Sequence, residues 1–177
     1  MALIVREKER TMKDCGIEFR IVGAADSRGA AVSADGIGPE QIIAAKDSGQ
    51  SVAAIPNAGI PGMTVQKMIL HCNADIYVEA TPANLPSGEP GLSNILTALT
   101  RKMHVVSANK VPLALHWAEI FHLASEKGLM IRYGTAASAG LPVLEMGRML
   151  GSCGELLEFT GIFNAACMYM IDSMNLG

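Results

Sequence analysis

His104-Val105-Val106-Ser107-Ala108-Asn109-Lys110-Val111-Pro112-Leu113-Ala114 is the stretch that decides the reading of this chain. An apolar strand runs into Asn109 and Lys110. Pro112 then forbids further strand, and a helical pattern follows. The sequence thus delivers one amide and one amine at the carboxyl end of a strand, where open α/β sheets bind ligands. A lysine there can donate to a substrate or cofactor oxygen.

The same alternation runs outward in both directions. Residues 2–14 predict a helix stopped by Gly16. Phe19 to Ala25 predicts a buried strand ending at Asp26-Ser27-Arg28-Gly29. Pro39 opens a second helix, and the Pro- and Gly-punctuated segment from Gly49 to Gly62 reads as a loop. Val65, Met68, Ile69 and Cys72 share one helix face, and Asp75 to Ala80 predicts the next strand. Leu92, Ile95, Leu96 and Leu99 mark another helix before the opening strand. Trp117, Ile120, Phe121 and Ala124 mark one after it, closed by Gly128. Beyond it come a strand over Leu129 to Tyr133, a small-residue turn over Gly134 to Gly140 and a helix over Leu141 to Leu150. A strand over Leu156 to Phe163 and a helix from Ala165 complete the pattern.

Strands alternating with helices predict an α/β fold with a doubly wound parallel sheet. The chain has 177 residues, of which 50% are hydrophobic and 18% charged, enough for a sizeable core. A net charge of -3 argues against a nucleic-acid surface. The apolar runs are too short to span a membrane. The four cysteines Cys15, Cys72, Cys153 and Cys167 show no metal-ligand spacing, and the expected setting is a reducing cytoplasm. His71, His104, His116 and His122 are scattered and read as structural or surface residues.

Three strand ends carry polar residues of interest. Asp26-Ser27-Arg28 closes the first. An acid in that position of a dinucleotide-binding fold binds a ribose 2′-hydroxyl, and an arginine favours a 2′-phosphate. Both types are present, and a plain polar turn is the competing explanation. Thr81, after Glu79-Ala80, offers a hydroxyl and an amide, and Glu79 itself reads as a buried structural carboxylate. Asn109 and Lys110 close the third. Gly134 to Gly140 exposes backbone groups to an ion, or serves close packing.

Together these segments resemble homoserine dehydrogenase, especially its compact archaeal form. The resemblance rests on Val22 to Gly29, Val78 to Pro82 with Ser87-Gly88-Glu89-Pro90, and Ala108-Asn109-Lys110 with Pro112-Leu113-Ala114. Arg132-Tyr133, Gly140-Leu141-Pro142-Val143 and Gly161-Ile162-Phe163-Asn164 complete it, in family order across nearly the whole chain. It implies an incomplete Rossmann-like domain over residues 1–128, and over 129–177 the start of an α+β catalytic and dimerisation domain. It also implies reduction of aspartate semialdehyde to homoserine with NADPH or NADH, a step toward threonine and methionine. By resemblance Thr81, Ala108 and Lys110 lie along the cofactor, and Lys110 also approaches the substrate as the catalytic residue; Asp26, Ser27 and Arg28 stay candidates for the ribose end by their place in the fold. Carbonyls of Ala137, Ala139 and Leu141 would hold a monovalent cation, and the protein would be a homodimer.

Departures from the family temper this expectation. The sequence holds no G-x-G-x-x-G turn to cradle a pyrophosphate. It reads as if it begins inside the helix after that turn, about twenty residues into such a unit. It also ends before the family's substrate-binding acids and second lysine. Losing the first strand would leave a gap of roughly 9–10 Å between the strands at Phe19–Ala25 and Ile76–Ala80. Those strands must close up differently or leave free edges. Gly134 stands where a glutamate is usual, and Asn164-Ala165-Ala166-Cys167-Met168-Tyr169 replaces Asn-Gly-Thr-Thr-Asn-Tyr. The expectation is therefore an inactive fragment of the enzyme, with a non-catalytic relic or interaction module as the alternative.

Overall fold

The computed structural model describes residues 2–138, 140–158 and 160. They form two compact units. Of these, residues 2–77 with Leu96–Met103 make the first, and Val78–Ile95 with those described from 104 onward make the second.

The first unit opens with two short helices, α1 (Ala2–Arg6) and α2 (Lys8–Cys15), where the sequence predicts one. Gly16 ends α2 in the left-handed region, at φ 67°, as a glycine stop should. Strand β1 (Gly23–Asp26) follows, and then the chain departs from expectation. It turns at Ser27-Arg28 and returns as β2 (Gly29–Val32), antiparallel to β1, with Ala24 opposite Ala31. The segment expected to be a loop contributes a 3-10 turn (Val52–Ala54) and a third strand, β3 (Gly59–Pro61), antiparallel to β2. The edge of β1 is thus closed by local antiparallel strands.

Small residues make this sheet possible. A Cβ on Gly59 would lie 2.1 Å from the Ala53 carbonyl oxygen, and one on Gly29 (φ 150°) would lie 2.6 Å from that of Ile60. Helix α3 (Pro39–Asp47) begins with proline in its first turn, and Gln41 Oε1 accepts the Gly38 N–H at 3.1 Å. Ile42 of α3 packs with Ala31, Ile37, Val52 and Ile55 in the core of the unit. Helix α4 (Val65–His71) is capped by Thr64, whose hydroxyl accepts the Lys67 N–H. It turns Met68 and Ile69 inward as the spacing predicts.

The parallel pattern is realised in the second sheet, in the order β4 (Ile76–Glu79), β5 (His104–Ser107), β6 (Ile131–Arg132). Strands β5 and β6 run parallel, with Val105 opposite Ile131. Alternation sets the buried face: Tyr77, Glu79, Val105, Ser107 and Ile131 point in, while Ile76, Val78 and Val106 point out. Helix α5 (Gly91–Thr100) joins β4 to β5 and buries Ile95, Ala98 and Leu99. After β5 come α6 (Lys110–Leu115) and α7 (Trp117–Glu126), with Ile120 and Ala124 buried and Gly128 at φ 65° closing the turn.

The α/β class therefore holds. Its last part differs in detail. The expected turn at 134–140 is a short helix, α8 (Gly134–Ser138), and the next helix, α9, runs Val143–Cys153. Residues 155–158 have no regular structure, and the remainder of the strand expected over Leu156–Phe163, except residue 160, lies outside the described residues, as does the helix from Ala165.

Candidate functional site

The opening stretch builds its site through short-range hydrogen bonds. Ser107 Oγ donates to the Asn109 carbonyl at 2.9 Å and accepts the Asn109 N–H at 3.2 Å. This bends the chain out of β5. Asn109 Oδ1 then accepts the Val111 N–H at 3.2 Å, which caps α6. Pro112 sits in the first turn, where a missing N–H costs nothing. Lys110 becomes the first residue of α6, with its side chain exposed.

The end of β4 is tied to the same place. The Glu79 carbonyl accepts the Ala108 N–H at 2.9 Å. The Glu79 side chain is wholly buried, as the sequence suggests. Its Oε1 accepts the Thr81 N–H at 2.6 Å and also the Thr81 hydroxyl. Its Oε2 accepts from Asn94 Nδ2 at 3.2 Å. Gly91, first residue of α5, lies against this cluster. A Cβ there would fall 2.8 Å from Asn109 Nδ2, 2.9 Å from Pro112 Cγ and 3.5 Å from Thr81 Oγ1. Asn109 Nδ2 is buried without a hydrogen-bond partner. Glu89 braces the same helix end, accepting the Ser93 N–H at 3.1 Å and its hydroxyl at 2.6 Å. Thr81, Ala108 and Asn109 are thus brought together, with Lys110 one step along α6.

Asp26, Ser27 and Arg28 belong to the first unit. Asp26 Oδ1 accepts the Arg28 N–H at 3.0 Å and the Ser51 hydroxyl at 2.7 Å. Its Oδ2 accepts from Lys46 Nζ at 2.8 Å and the Val52 N–H at 3.1 Å. Burial pushes the Asp26 carboxyl up, but these partners, Lys46 foremost, outweigh it and hold the group far below the usual carboxylate range. Four donors occupy the four lone-pair positions of a carboxylate. Arg28 donates from Nη2 to the Gly49 carbonyl at 2.9 Å and is otherwise exposed, as is Ser27.

The residues of the expected cation loop are dispersed in role. Ala137 lies within α8, where its N–H donates to the Tyr133 carbonyl. The Leu141 carbonyl accepts the Ser138 hydroxyl at 2.6 Å. Ala139 lies outside the described residues. A Cβ on Gly134 would meet Glu145 Oε1 at 3.3 Å, so a carboxylate from α9 flanks that position. No cluster of three or more metal-ligating side chains occurs among the described residues. The histidines are structural or at the surface: His71 Nδ1 lies 2.7 Å from the Lys67 carbonyl, and His104 Nδ1 accepts the Met130 N–H at 3.0 Å.

Lys46, Ser51 and Asn94 were not singled out by sequence. The first two sit 20 and 25 residues from Asp26. Asn94 was the more visible, because it is a polar residue between the core positions Leu92 and Ile95.

No protein-family profile matches the chain. Individual relatives do. The chain is 30% identical over 174 residues to homoserine dehydrogenase of Methanocaldococcus jannaschii, covering 98% of its own length and 52% of the relative's. It is 29% identical over 179 residues to NAD(+)-dependent homoserine dehydrogenase of Pseudomonas canavaninivorans, covering 100% and 51%. The chain belongs to the homoserine dehydrogenase family. Among solved homoserine dehydrogenases, that of Thermoplasma acidophilum superposes with a TM-score of 0.63 at 27% identity, over 84% of this chain and 44% of that one. The homoserine dehydrogenase homologue described here spans about half the length of the curated relatives it matches. No helix among its described residues is long and apolar enough to cross a membrane.

Proposed function

We propose that this homologue binds NAD(P)(H) and belongs to the machinery that interconverts L-homoserine and L-aspartate 4-semialdehyde, in the cytoplasm and as a homo-oligomer. The observation that carries this reading is the joined end of β4 and β5. There Thr81, Ala108 and Asn109 converge, and Lys110 stands exposed beside them. Thr81, partly exposed at this strand end, fits the nicotinamide end of a dinucleotide. The nicotinamide would supply or accept the hydride. Lys110 would donate a hydrogen bond or proton to the aldehyde oxygen as negative charge develops there. In the first unit Asp26 is occupied by its own protein, whereas Arg28 has guanidinium donors to offer. That favours a 2′-phosphate, hence NADP(H).

The 177 residues contain no G-x-G-x-x-G turn, and by themselves we expect no measurable dehydrogenase activity. The same observation supports a second reading, a non-catalytic module retaining the fold. Two measurements separate these. Fluorescence titration with NADPH should show binding, weakened about tenfold by Arg28→Ala while NADH affinity stays unchanged. Absence of any binding favours the module. Homoserine-dependent NADP+ reduction by the purified chain, abolished by Lys110→Ala, would overturn the proposed inactivity.

A further inference from the structure

Glu79 and Asn94 are 0% and 1% exposed, whereas Thr81 at the strand end is only partly buried. The Thr81 N–H and hydroxyl both converge on Glu79 Oε1, while Asn94 Nδ2 donates to Oε2. An amide N–H can only donate, so Oε1 acts as the acceptor. A threonine hydroxyl has one hydrogen and two lone pairs. With that hydrogen directed at Glu79, Thr81 Oγ1 has only lone pairs to present elsewhere. The Ala108 N–H bonded to the Glu79 carbonyl fixes the strand end from which this occurs. Gly91, the first residue of α5, packs beside this hydroxyl, where a Cβ would lie 3.5 Å from Oγ1.

We propose that Glu79 is a positioning residue that fixes the Thr81 hydroxyl as an acceptor, so that this strand end selects a ligand N–H donor, the carboxamide NH2 of a nicotinamide. The inference rests on the dinucleotide reading above. It adds a direction to the contact: Thr81 accepts and does not donate. A 3-substituent with a carbonyl but no NH2 therefore loses one hydrogen bond.

The test uses the full 177-residue chain and calorimetric binding of three probes. These are NADP+, its 3-acetylpyridine analogue, which carries a methyl group in place of the NH2, and 2′-phospho-ADP-ribose, which lacks the nicotinamide. The unmodified chain should prefer NADP+ over the analogue by about fivefold, the worth of one ordinary hydrogen bond. Thr81→Val and Glu79→Met should bring that ratio to about one, while Thr81→Ser retains it. Affinity for 2′-phospho-ADP-ribose should stay the same throughout. A merely structural Glu79 would move all three affinities together. A ratio unchanged in Thr81→Val, or in folded Glu79→Met, overturns the proposal. Should Glu79→Met not fold, a slowly exchanging Thr81 hydroxyl proton in the NMR spectrum of the unmodified chain, absent from Thr81→Val, supports the bond to Glu79. Its absence from the unmodified chain overturns that bond. Binding of dinucleotides without preference overturns this inference alone. Failure of all three probes to bind overturns the dinucleotide reading and this inference with it.

Discussion

The Asp26 carboxylate closes β1 within a shell of donors from its own unit. Its oxygens accept from Lys46, Ser51, Val52 and Arg28. Its charge therefore belongs to the folding of the first unit. Because its folded-state pKa is depressed, its contribution is complete above the unfolded value of about 4 and is lost as the pH falls below that. Lys46 is 49% exposed, so solvent screening reduces the gain. Asp26→Asn should destabilise the chain by about 1–2 kcal/mol at neutral pH, with a smaller difference near pH 3. Urea melts at the two pH values check both statements, and equal losses would contradict the ion-pair origin. The sequence displayed Asp26 but not its partners. Nothing local announces which lysine of a later helix will reach back to a given carboxylate. Asn109 was read as an amide for a ligand, whereas its Oδ1 caps α6, a bond to its own near neighbour Val111.

Helices were legible because their apolar faces repeat every three or four residues. Met68 and Ile69, Ile95 and Leu99, and Ile120 and Ala124 are all buried where that spacing put them. Strands β2 and β3 were not legible. Gly29-Ala30-Ala31-Val32 and Gly59-Ile60-Pro61 lack the alternating large residues by which strands are recognised, and glycine and proline imitate a loop. Their smallness has a structural reason, since backbone approaches backbone where larger residues would intervene. Gly59→Ala should thus cost roughly 2–3 kcal/mol, far beyond any loss of chain flexibility. Thermal melting checks this, and an unchanged or raised midpoint would show that the 3-10 turn at Val52–Ala54 yields easily. Gly62, which has open space at its Cβ but a φ of 73°, would suffer only backbone strain when replaced.

Across the whole molecule, alternating strands and helices announced the class, and β5 with β6 fulfils the parallel part of it. The antiparallel sheet depended on pairing partners that periodicity does not specify. Cys72 packs so closely on β1 that a Cβ at Gly23 would stand 2.6 Å from its sulfur. Its thiol donates to the Val22 carbonyl at 3.5 Å, and burial pushes its pKa up. Cys15 and Cys153 are exposed. The chain therefore carries its own stopwatch. In an alkylation time course followed by peptide mass mapping, Cys15 and Cys153 should be modified immediately. Cys72 should wait for the first unit to open, at a rate that climbs with denaturant and with Gly23→Ala. Labelling of Cys72 as fast as Cys15 in native buffer would mean that α4 does not stay seated on β1. A lag would time the opening of that unit from a single native sulfur atom, without any engineered label.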